Sequence, residues 1–463
     1  MKEIDYDKSS VESIYFHSLK LHGKSLIDAV DLPHGVLNAK NRGDLGNLIE
    51  KYYFRHIPID KNEPDFHEAK LELKTTGIED YKKNQKSGAK VRAKERLVLT
   101  NINYQTIGSE FWETSKFLNK CNLMLILFYK YNKSVSSVEQ YFTEKPLLLL
   151  LDENKVKLDE KDLAFIRKNS LRISDNDLAV IRKDWEFIRQ KIVDNKAHEL
   201  SEGDTFYLGA CRKGSGGENE PLRQQAGDGE PAKSRAFAFK QSFMTKILQG
   251  HGQNEISLGV GNNLTFEEIL EDKFQPFYGM SEEEISVELN YFTKSKSRRW
   301  LLAKRMLAKG GQSIEEFQKA GILLKTVTLS KSGTSKEDMS FPAFEMNELI
   351  SQDWEDSDFA SQIENKFLFV VFQEVGDGKI RFKKVMFWNM PLDDRTEAKK
   401  VWNETRNRLM TNAHNLPKRS DSKVAHVRPH AQNKADVDLS PQGDLLVKKC
   451  FWLNASYITK IVS

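Results

Sequence analysis

Asp65, Glu72 and Lys74 place two carboxylates and one ammonium within a stretch of ten residues. Around them, Lys70-Leu71-Glu72-Leu73-Lys74-Thr75 alternates polar and apolar side chains. That period of two predicts a strand that turns Leu71 and Leu73 to a core and Glu72 and Lys74 together to the opposite face, with Asp65 approaching from the preceding turn. Hard carboxylate oxygens suit Mg2+, which usually takes one or two carboxylates and leaves its other positions to water and phosphate oxygens. A cation beside such an ion can stabilise developing negative charge. The set therefore reads as the centre of a magnesium-dependent phosphodiesterase.

An Asp, Glu-x-Lys pattern arises readily by chance in a chain of which 30% is charged, so the elements around it decide its weight. Upstream, Gly43-Asp44-Leu45-Gly46-Asn47-Leu48-Ile49-Glu50 predicts a helix start with Glu50 facing the site. Downstream, Phe111-Trp112-Glu113-Thr114-Ser115 leads through Lys120 into the apolar run from Leu123 to Tyr129. Strands are expected near Leu71 to Thr75, Leu97 to Asn103 and Leu123 to Tyr129. Helices are expected up to Val30, at Glu160 to Arg167 and at Asp177 to Val193, where Trp185, Ile188 and Ile192 recur at spacings of three and four. This order predicts an α/β core with the site on the sheet edge.

At 463 residues and 53.3 kDa the chain exceeds one ordinary core. Two domains are expected. The runs Leu147 to Leu151 and Leu123 to Tyr129 are too short to span a bilayer, and the polar start Met1-Lys2-Glu3-Ile4-Asp5 predicts no export signal. Cys121, Cys211 and Cys450 form no C-x-x-C pair, which argues against zinc and against a disulfide framework. A reducing cytoplasm fits. Gly23-Lys24-Ser25 lacks the first glycine of a phosphate-binding loop, and His67-Glu68 and His198-Glu199 lack the second histidine of a metalloprotease helix.

The net charge of +4 is small, but its distribution is uneven. Lys82, Lys83, Lys86, Lys90, Arg92 and Lys94 follow the proposed catalytic strand with no acidic residue among them, as expected of a patch that neutralises DNA phosphates. A second such run extends from Lys294 to Lys309.

At the Glu50, Asp65, Glu72-Leu73-Lys74 and Trp112 to Lys120 segments the chain resembles the DNA mismatch repair endonuclease MutH and the related type II restriction enzymes that cut at GATC. The resemblance covers most of residues 15–250. In that family the catalytic group comprises a glutamate in a G-x-x-G-x-x-x-E helix, an aspartate, the E-x-K pair and a lysine after W-E-T-S. The resemblance assigns these roles to Glu50, Asp65, Glu72, Lys74 and Lys120. It continues through Asp184-Trp185-Glu186 and through Cys211-Arg212-Lys213-Gly214, where Lys213 matches a lysine of the family's DNA-reading loop. Phe239-Lys240-Gln241-Ser242-Phe243 is similar to the family's closing segment. The Gly-rich stretch from Lys213 to Ser234, flanked by Arg212 and Arg235, is then expected to order on DNA in the major groove.

The resemblance implies a restriction-endonuclease-like PD-(D/E)xK fold, a mixed sheet flanked by helices, with Mg2+ held by Asp65 and Glu72. It implies cleavage of double-stranded DNA at GATC leaving 5′-phosphates, and a cognate methyltransferase encoded nearby. A mismatch-repair-type nicking enzyme and a non-cleaving DNA-binding protein are the alternatives.

The chain also carries a faint internal repeat. Pro64 to Thr75 aligns without gaps on Glu315 to Thr326, Trp112-Glu113-Thr114-Ser115 on Trp354-Glu355-Asp356-Ser357, and Ser242 to Leu248 on Ser456 to Val462. Two tandem domains, 1–250 and 251–463, are expected. Leu323 stands where Glu72 would be, so the second domain is expected to bind DNA without cutting it and to promote DNA-dependent pairing of chains. From Ala425 to Lys434 it offers donors for base edges, Arg428 and His430 among them. Pro429 between His426 and His430 argues against a helical metal pair.

Overall fold

The computed structural model describes residues 5–36, 44–56, 62–81, 90–212, 221–250, 255–261, 264–354, 357–431, 433 and 435–463, with the side chains of 44 and 309 not described. Lys82, Lys83, Lys86 and Lys213 lie outside these residues.

The strands of the first half are β1 (Glu72–Asp80), β2 (Val91–Ala93), β3 (Leu97–Asn101), β4 (Leu123–Lys130), β5 (Leu147–Leu150), β6 (Ser170–Arg172), β7 (Leu208–Arg212) and β8 (Arg235–Phe239). Five of them form a mixed sheet in the order β2-β1-β4-β5-β6, in which β1 and β4 run parallel. β4 is apolar and buried on both faces, as a central strand must be. Met124, Ile126 and Phe128 enter one core, while Leu123, Leu125 and Leu127 join Leu71 and Leu73 in another beneath the helix Val11–Leu19. The alternation read from Leu71 to Lys74 thus holds. β1 is second in the sheet, but β2 pairs only with Ile78 to Asp80. Among the described residues its Glu72 end therefore has a strand on one side alone, an edge in the local sense.

β3, β8 and β7 form a second, antiparallel sheet with β8 in the middle. Asp184, buried in the helix Asp175–Val193, accepts the backbone N–H groups of Phe206, Tyr207 and Leu208 at 2.9, 2.6 and 2.9 Å and so fixes where β7 begins.

Beyond Gly250, β9 (Glu255–Ile256) pairs with β10 (Ser313–Ile314). There follow β11 (Leu323–Leu329), β12 (Met339–Phe344), β13 (Phe367–Glu374), β14 (Ile380–Trp388), β15 (Ala425–Pro429), the hairpin β16 (Val437–Leu439) and β17 (Leu445–Val447), and β18 (Lys449–Leu453). β11 runs parallel to β13 as β1 does to β4, and β12-β18-β15 has the order of β3-β8-β7. β8 leads directly into the helix Gln241–Gln249, and β18 into Ala455–Val462. Trp112 meets Trp185 edge-on at 5.8 Å and 66°, and Trp354 meets Trp402 at the same distance and angle.

The two sets of strands lie on either side of Gly250, yet their cores are continuous. Met124 and Ile126 of β4 share one apolar cluster with Leu368, Val370 and Phe372 of β13 and with Leu302 and Met306 of the helix Arg298–Leu307. Polar ties cross the same seam. Asn389 Nδ2 donates to Asp204 Oδ1 at 2.7 Å, Lys366 Nζ to the Asp204 carbonyl at 3.1 Å and Arg395 to the Glu199 carbonyl at 2.9 Å. At Gly203 a β-carbon would lie 2.7 Å from the Glu364 carbonyl oxygen and 2.9 Å from Asn389 Cβ. Gly203→Val is expected to destabilise the fold by about 1–3 kcal/mol through overpacking. Thermal unfolding checks this, and an unchanged melting temperature would mean that the seam is loosely packed.

Candidate active site

Phe66 and Leu71 exchange both backbone hydrogen bonds, at 2.9 and 3.2 Å, across the turn formed by His67, Glu68, Ala69 and Lys70. That turn returns Asp65 to the start of β1, where the two carboxylates brace each other's backbone. The Asp65 N–H donates to Glu72 Oε2 at 3.1 Å, and the Leu73 N–H donates to Asp65 Oδ2 at 2.9 Å. Lys74 Nζ lies 2.6 Å from Glu72 Oε1. Lys120 Nζ lies 3.4 Å from the same oxygen and donates to the Glu63 carbonyl at 3.0 Å.

Lys120 is delivered by the helix Lys116–Cys121, whose start explains the W-E-T-S segment. Ser115 Oγ accepts the Leu118 N–H at 3.1 Å, a cap of about 1 kcal/mol, and Trp112 packs on Phe117 and Trp185. Glu50 sits in the wide helical turn Ile49–Tyr53, where Phe54 donates to the Ile49 carbonyl at 2.9 Å; such i to i+5 turns recur at functional sites. Its carboxyl senses the charges of Asp65, Lys74, Glu72 and Lys120. The structure thus gathers Glu50, Asp65, Glu72, Lys74 and Lys120 at one end of β1.

Glu72 is 1% exposed and Asp65 8% exposed, so the charged forms are poorly solvated. Burial pushes the Glu72 carboxyl up to about 7, with Asp65 adding to the rise and Lys74 and Lys120 opposing it. Burial likewise pushes Glu50 up to about 7, helped by the Asp65 charge. For Lys74 burial would favour the neutral amine, but Glu72 beside it holds the ammonium above its ordinary range. Two carboxylates short of counter-charge, next to two cations, are what a divalent metal would complete. Asp65 Oδ1 accepts no hydrogen bond among the described residues. Among the described residues no group of three or more His, Cys, Asp or Glu side chains is placed to hold a metal ion.

The residues expected along the DNA are distributed less simply. Lys90 is exposed, Arg92 pairs with Glu79 at 2.6 Å and Lys94 lies over the Tyr131 ring at 4.0 Å. Arg212 ends β7, within electrostatic reach of half-buried Glu364. Arg235 and Lys240, expected to bind DNA, are instead 5% exposed and interior. Arg235 donates to the Ala210 and Leu200 carbonyls and Lys240 to the Thr205 carbonyl, so both brace β7. A lysine or arginine pattern cannot distinguish such a brace from a surface contact. The loop expected to order on DNA is already folded over its described part. Arg223 and Ala232 exchange backbone bonds at 2.7 and 2.9 Å, and Gln225 accepts the Ala197 N–H at 2.9 Å.

In the second half the corresponding residues have other employment. Glu316, at the position of Asp65, accepts from Ser257 Oγ and from the Leu258 and Gly259 N–H groups at 2.6, 2.9 and 3.0 Å. Leu323 opens β11 where Glu72 opens β1, and Lys325, the counterpart of Lys74, lies over the Phe341 ring with its ammonium lowered by burial. Arg428 stacks on Trp452 at 4.4 Å and pairs with Asp338 at 3.1 Å, while His430 meets the edge of the same indole at 5.3 Å. His426 is 4% exposed and bonds Asn454 through Nδ1 at 2.6 Å. Of the second basic run, Arg298 and Arg299 pair with Glu283 and Glu282, both at 3.1 Å.

Comparison with known proteins decides the family. The family model for the DNA mismatch repair enzyme MutH matches residues 55–167 and 307–400. The type II restriction enzyme Sau3AI of Staphylococcus aureus is 31% identical over 483 aligned positions, covering 96% of this chain and 92% of that protein. The chain belongs to the MutH-like type II restriction enzymes. It is a DNA endonuclease, and the five gathered side chains lie within or just before the first matched stretch. No helix among the described residues is long and apolar enough to cross a membrane.

The raised carboxyls of this MutH-like enzyme give a signed expectation. A group raised from 4.5 to about 7 contributes stability fully present below pH 4.5 and lost as pH rises through 7. Glu50→Gln keeps the uncharged form at every pH. In metal-free buffer its melting temperature is expected to exceed that of the unsubstituted protein by a few degrees at pH 8, with the gap closing towards pH 5. A gap that does not vary with pH would show that the Glu50 carboxyl is not strained by its surroundings.

Proposed function

We propose that the enzyme hydrolyses both strands of DNA at GATC by Mg2+-dependent phosphodiester cleavage, leaving 5′-phosphate and 3′-hydroxyl ends. The observation that carries this is the convergence of Asp65, Glu72, Lys74 and Lys120 on one buried carboxylate oxygen and its neighbours. GATC follows from the resemblance of the W-E-T-S and reading-loop segments to the GATC-cutting members of the family.

Asp65 and Glu72 would hold the ion, with the Leu73 carbonyl as a further oxygen. When bound, the ion neutralises phosphate charge and lowers the pKa of a coordinated water. Lys74, kept charged by Glu72, orients the attacking water and stabilises the negative charge that develops on the phosphate. Lys120, anchored on the Glu63 carbonyl, adds a second cation on the same side. Glu50, whose carboxyl senses Lys74, would tune Lys74 or a second metal ion. Glu72→Ala is expected to lower cleavage of a GATC duplex by at least about a thousandfold while DNA affinity changes by less than about threefold. Cleavage by this variant at the unsubstituted rate would remove the assignment.

The second half, residues 251–463, is on this reading a non-cleaving copy of the first, residues 1–250. Support comes from the shared strand order, the matching tryptophan pairs and the two separate stretches matched by one family model. A restriction enzyme with one cutting centre per chain must bring two chains, or two binding events, to one site. The copy binds a second stretch of DNA, with Arg428, Trp452 and His430 as its contact surface, and promotes pairing. A methyltransferase protecting the same sequence would be encoded nearby. Gel filtration with GATC duplex is expected to show a complex of two chains, and a complex of one chain at every concentration would contradict pairing.

A further inference from the structure

One ion pair occurs in both halves with its polarity reversed. β3 and β12 take the same place beside the middle strand of their sheets, Leu97 opposite Phe239 and Met339 opposite Leu453. β7 and β15 take the other side, with Leu208 and Ala425 opposite the same two residues. Each of these latter strands is preceded by a single helical turn, Glu202–Asp204 in the first half and Arg419–Asp421 in the second. The turns are tied back alike, Lys191 reaching Asp204 at 3.1 Å and Arg408 reaching Asp421 at 3.5 Å. Glu202 thus matches Arg419, and Gly203 matches Ser420. Just before β3, Arg96 pairs with Glu202; just before β12, Asp338 pairs with Arg419.

Either polarity would close this brace, so the reversal answers to what each turn faces. In the first half the turn is covered, with Gly203 backed onto the Glu364 carbonyl and Asn389 so closely that a β-carbon does not fit. In the second half Arg419, Ser420 and Asp421 are exposed. Ser420 carries the β-carbon that the first-half contact excludes, so a further copy of the chain does not cover this turn in the same way. The reversal buries the carboxylate and turns the cation outward: the Glu202 side chain is 22% exposed and that of Arg419 58%, while Asp338 retains 1%. The Asp338 carboxylate also takes Arg428 at 3.1 Å and accepts the Ala455 N–H at 2.8 Å. It thereby fixes two half-exposed guanidiniums, whose planar forks suit phosphate oxygens. Lys418 and Lys423, on either side of the turn, are exposed as well, and the exposed acid of the turn, Asp421, is engaged by Arg408. An uncovered face with this excess of cations fits a polyanion.

We propose that Arg419 is a phosphate-binding residue of the second half, held by Asp338 beside Arg428 along one stretch of DNA. The inference rests on the reading of the second half as a DNA-binding copy of the first. The test titrates a short GATC duplex into the full-length chain without divalent metal, over a series of NaCl concentrations, and reads duplexes bound per chain, affinity and melting temperature. The unsubstituted chain is expected to take two duplexes. Arg419→Gln keeps an N–H donor for Asp338 but not the charge. It is expected to melt within a few degrees of the unsubstituted chain, to take the second duplex about three- to tenfold more weakly, and to lower the slope of log affinity against log salt for that duplex by about one. Arg419→Lys, which keeps the charge, is expected to keep that slope. An Arg419→Gln protein that takes the second duplex with unchanged affinity and slope overturns the assignment of Arg419 alone. So does self-association of the DNA-free chain that Arg419→Gln abolishes, which would give the face to a second copy. An unsubstituted chain that takes one duplex at every concentration overturns the DNA-binding reading of the second half and this inference with it.

Discussion

A carboxylate that is almost sealed from water, that of Glu72, is the constraint around which the first half is organised. An ion in that position costs several kcal/mol to desolvate unless charge and hydrogen bonds are brought to it. The structure brings Lys74 from two residues along the strand, Lys120 from a capped helix and the Asp65 N–H from a tight turn. Each donor belongs to a different element, so the parallel pairing of β1 with β4, the Ser115 cap and the Phe66–Leu71 exchange all have to form for the charge to be tolerated. Even then the carboxyl remains raised to about 7, which leaves an unmet demand for positive charge. A centre built in this way is unstable without its cations and suited to accepting another.

On the reading of the second half as a copy of the first, Leu323 stands where Glu72 does and the residues matched to its neighbours have other partners. With Leu323 in place of Glu72, Lys325 makes no ion pair among the described residues, and its ammonium lies over Phe341 and donates to the Ser340 carbonyl at 3.3 Å. Glu316 keeps the acidic charge of Asp65 but gives it to the backbone of Leu258 and Gly259, which ties the start of the second half to its first turn. Strand order and tryptophan packing persist because apolar burial maintains them independently of the site. On that reading the chemistry and the scaffold are separable in this chain.

Much of the centre is legible in the amino-acid sequence. The period of two at Leu71 to Lys74 locates the strand because Leu71 and Leu73 enter an apolar core while Glu72 and Lys74 meet each other in the polar centre. The W-E-T-S segment locates Lys120 because a serine cap and a tryptophan anchor are local devices with a fixed offset. Features that depend on long-range packing are not legible in the same way. Arg235 and Lys240 look like surface cations, and only the folded backbone shows the carbonyls that hold them inside. The left-handed turn at Lys70 is hidden because the residue type there is the reverse of what its conformation prefers. The stretch from Lys213 to Ser234 resembles a linker in its Gly-rich composition, and the folding of its described part emerges only with Gln225 buried against Ala197.

The central claim is that the Asp65–Glu72 centre cuts both strands of DNA at a fixed sequence. Digestion of unmethylated plasmid DNA with Mg2+, followed by sequencing of the fragment ends, tests it most directly. The account predicts discrete fragments with 5′-phosphate ends at GATC on both strands. Plasmid that stays intact while bound, or that is only nicked, would contradict it.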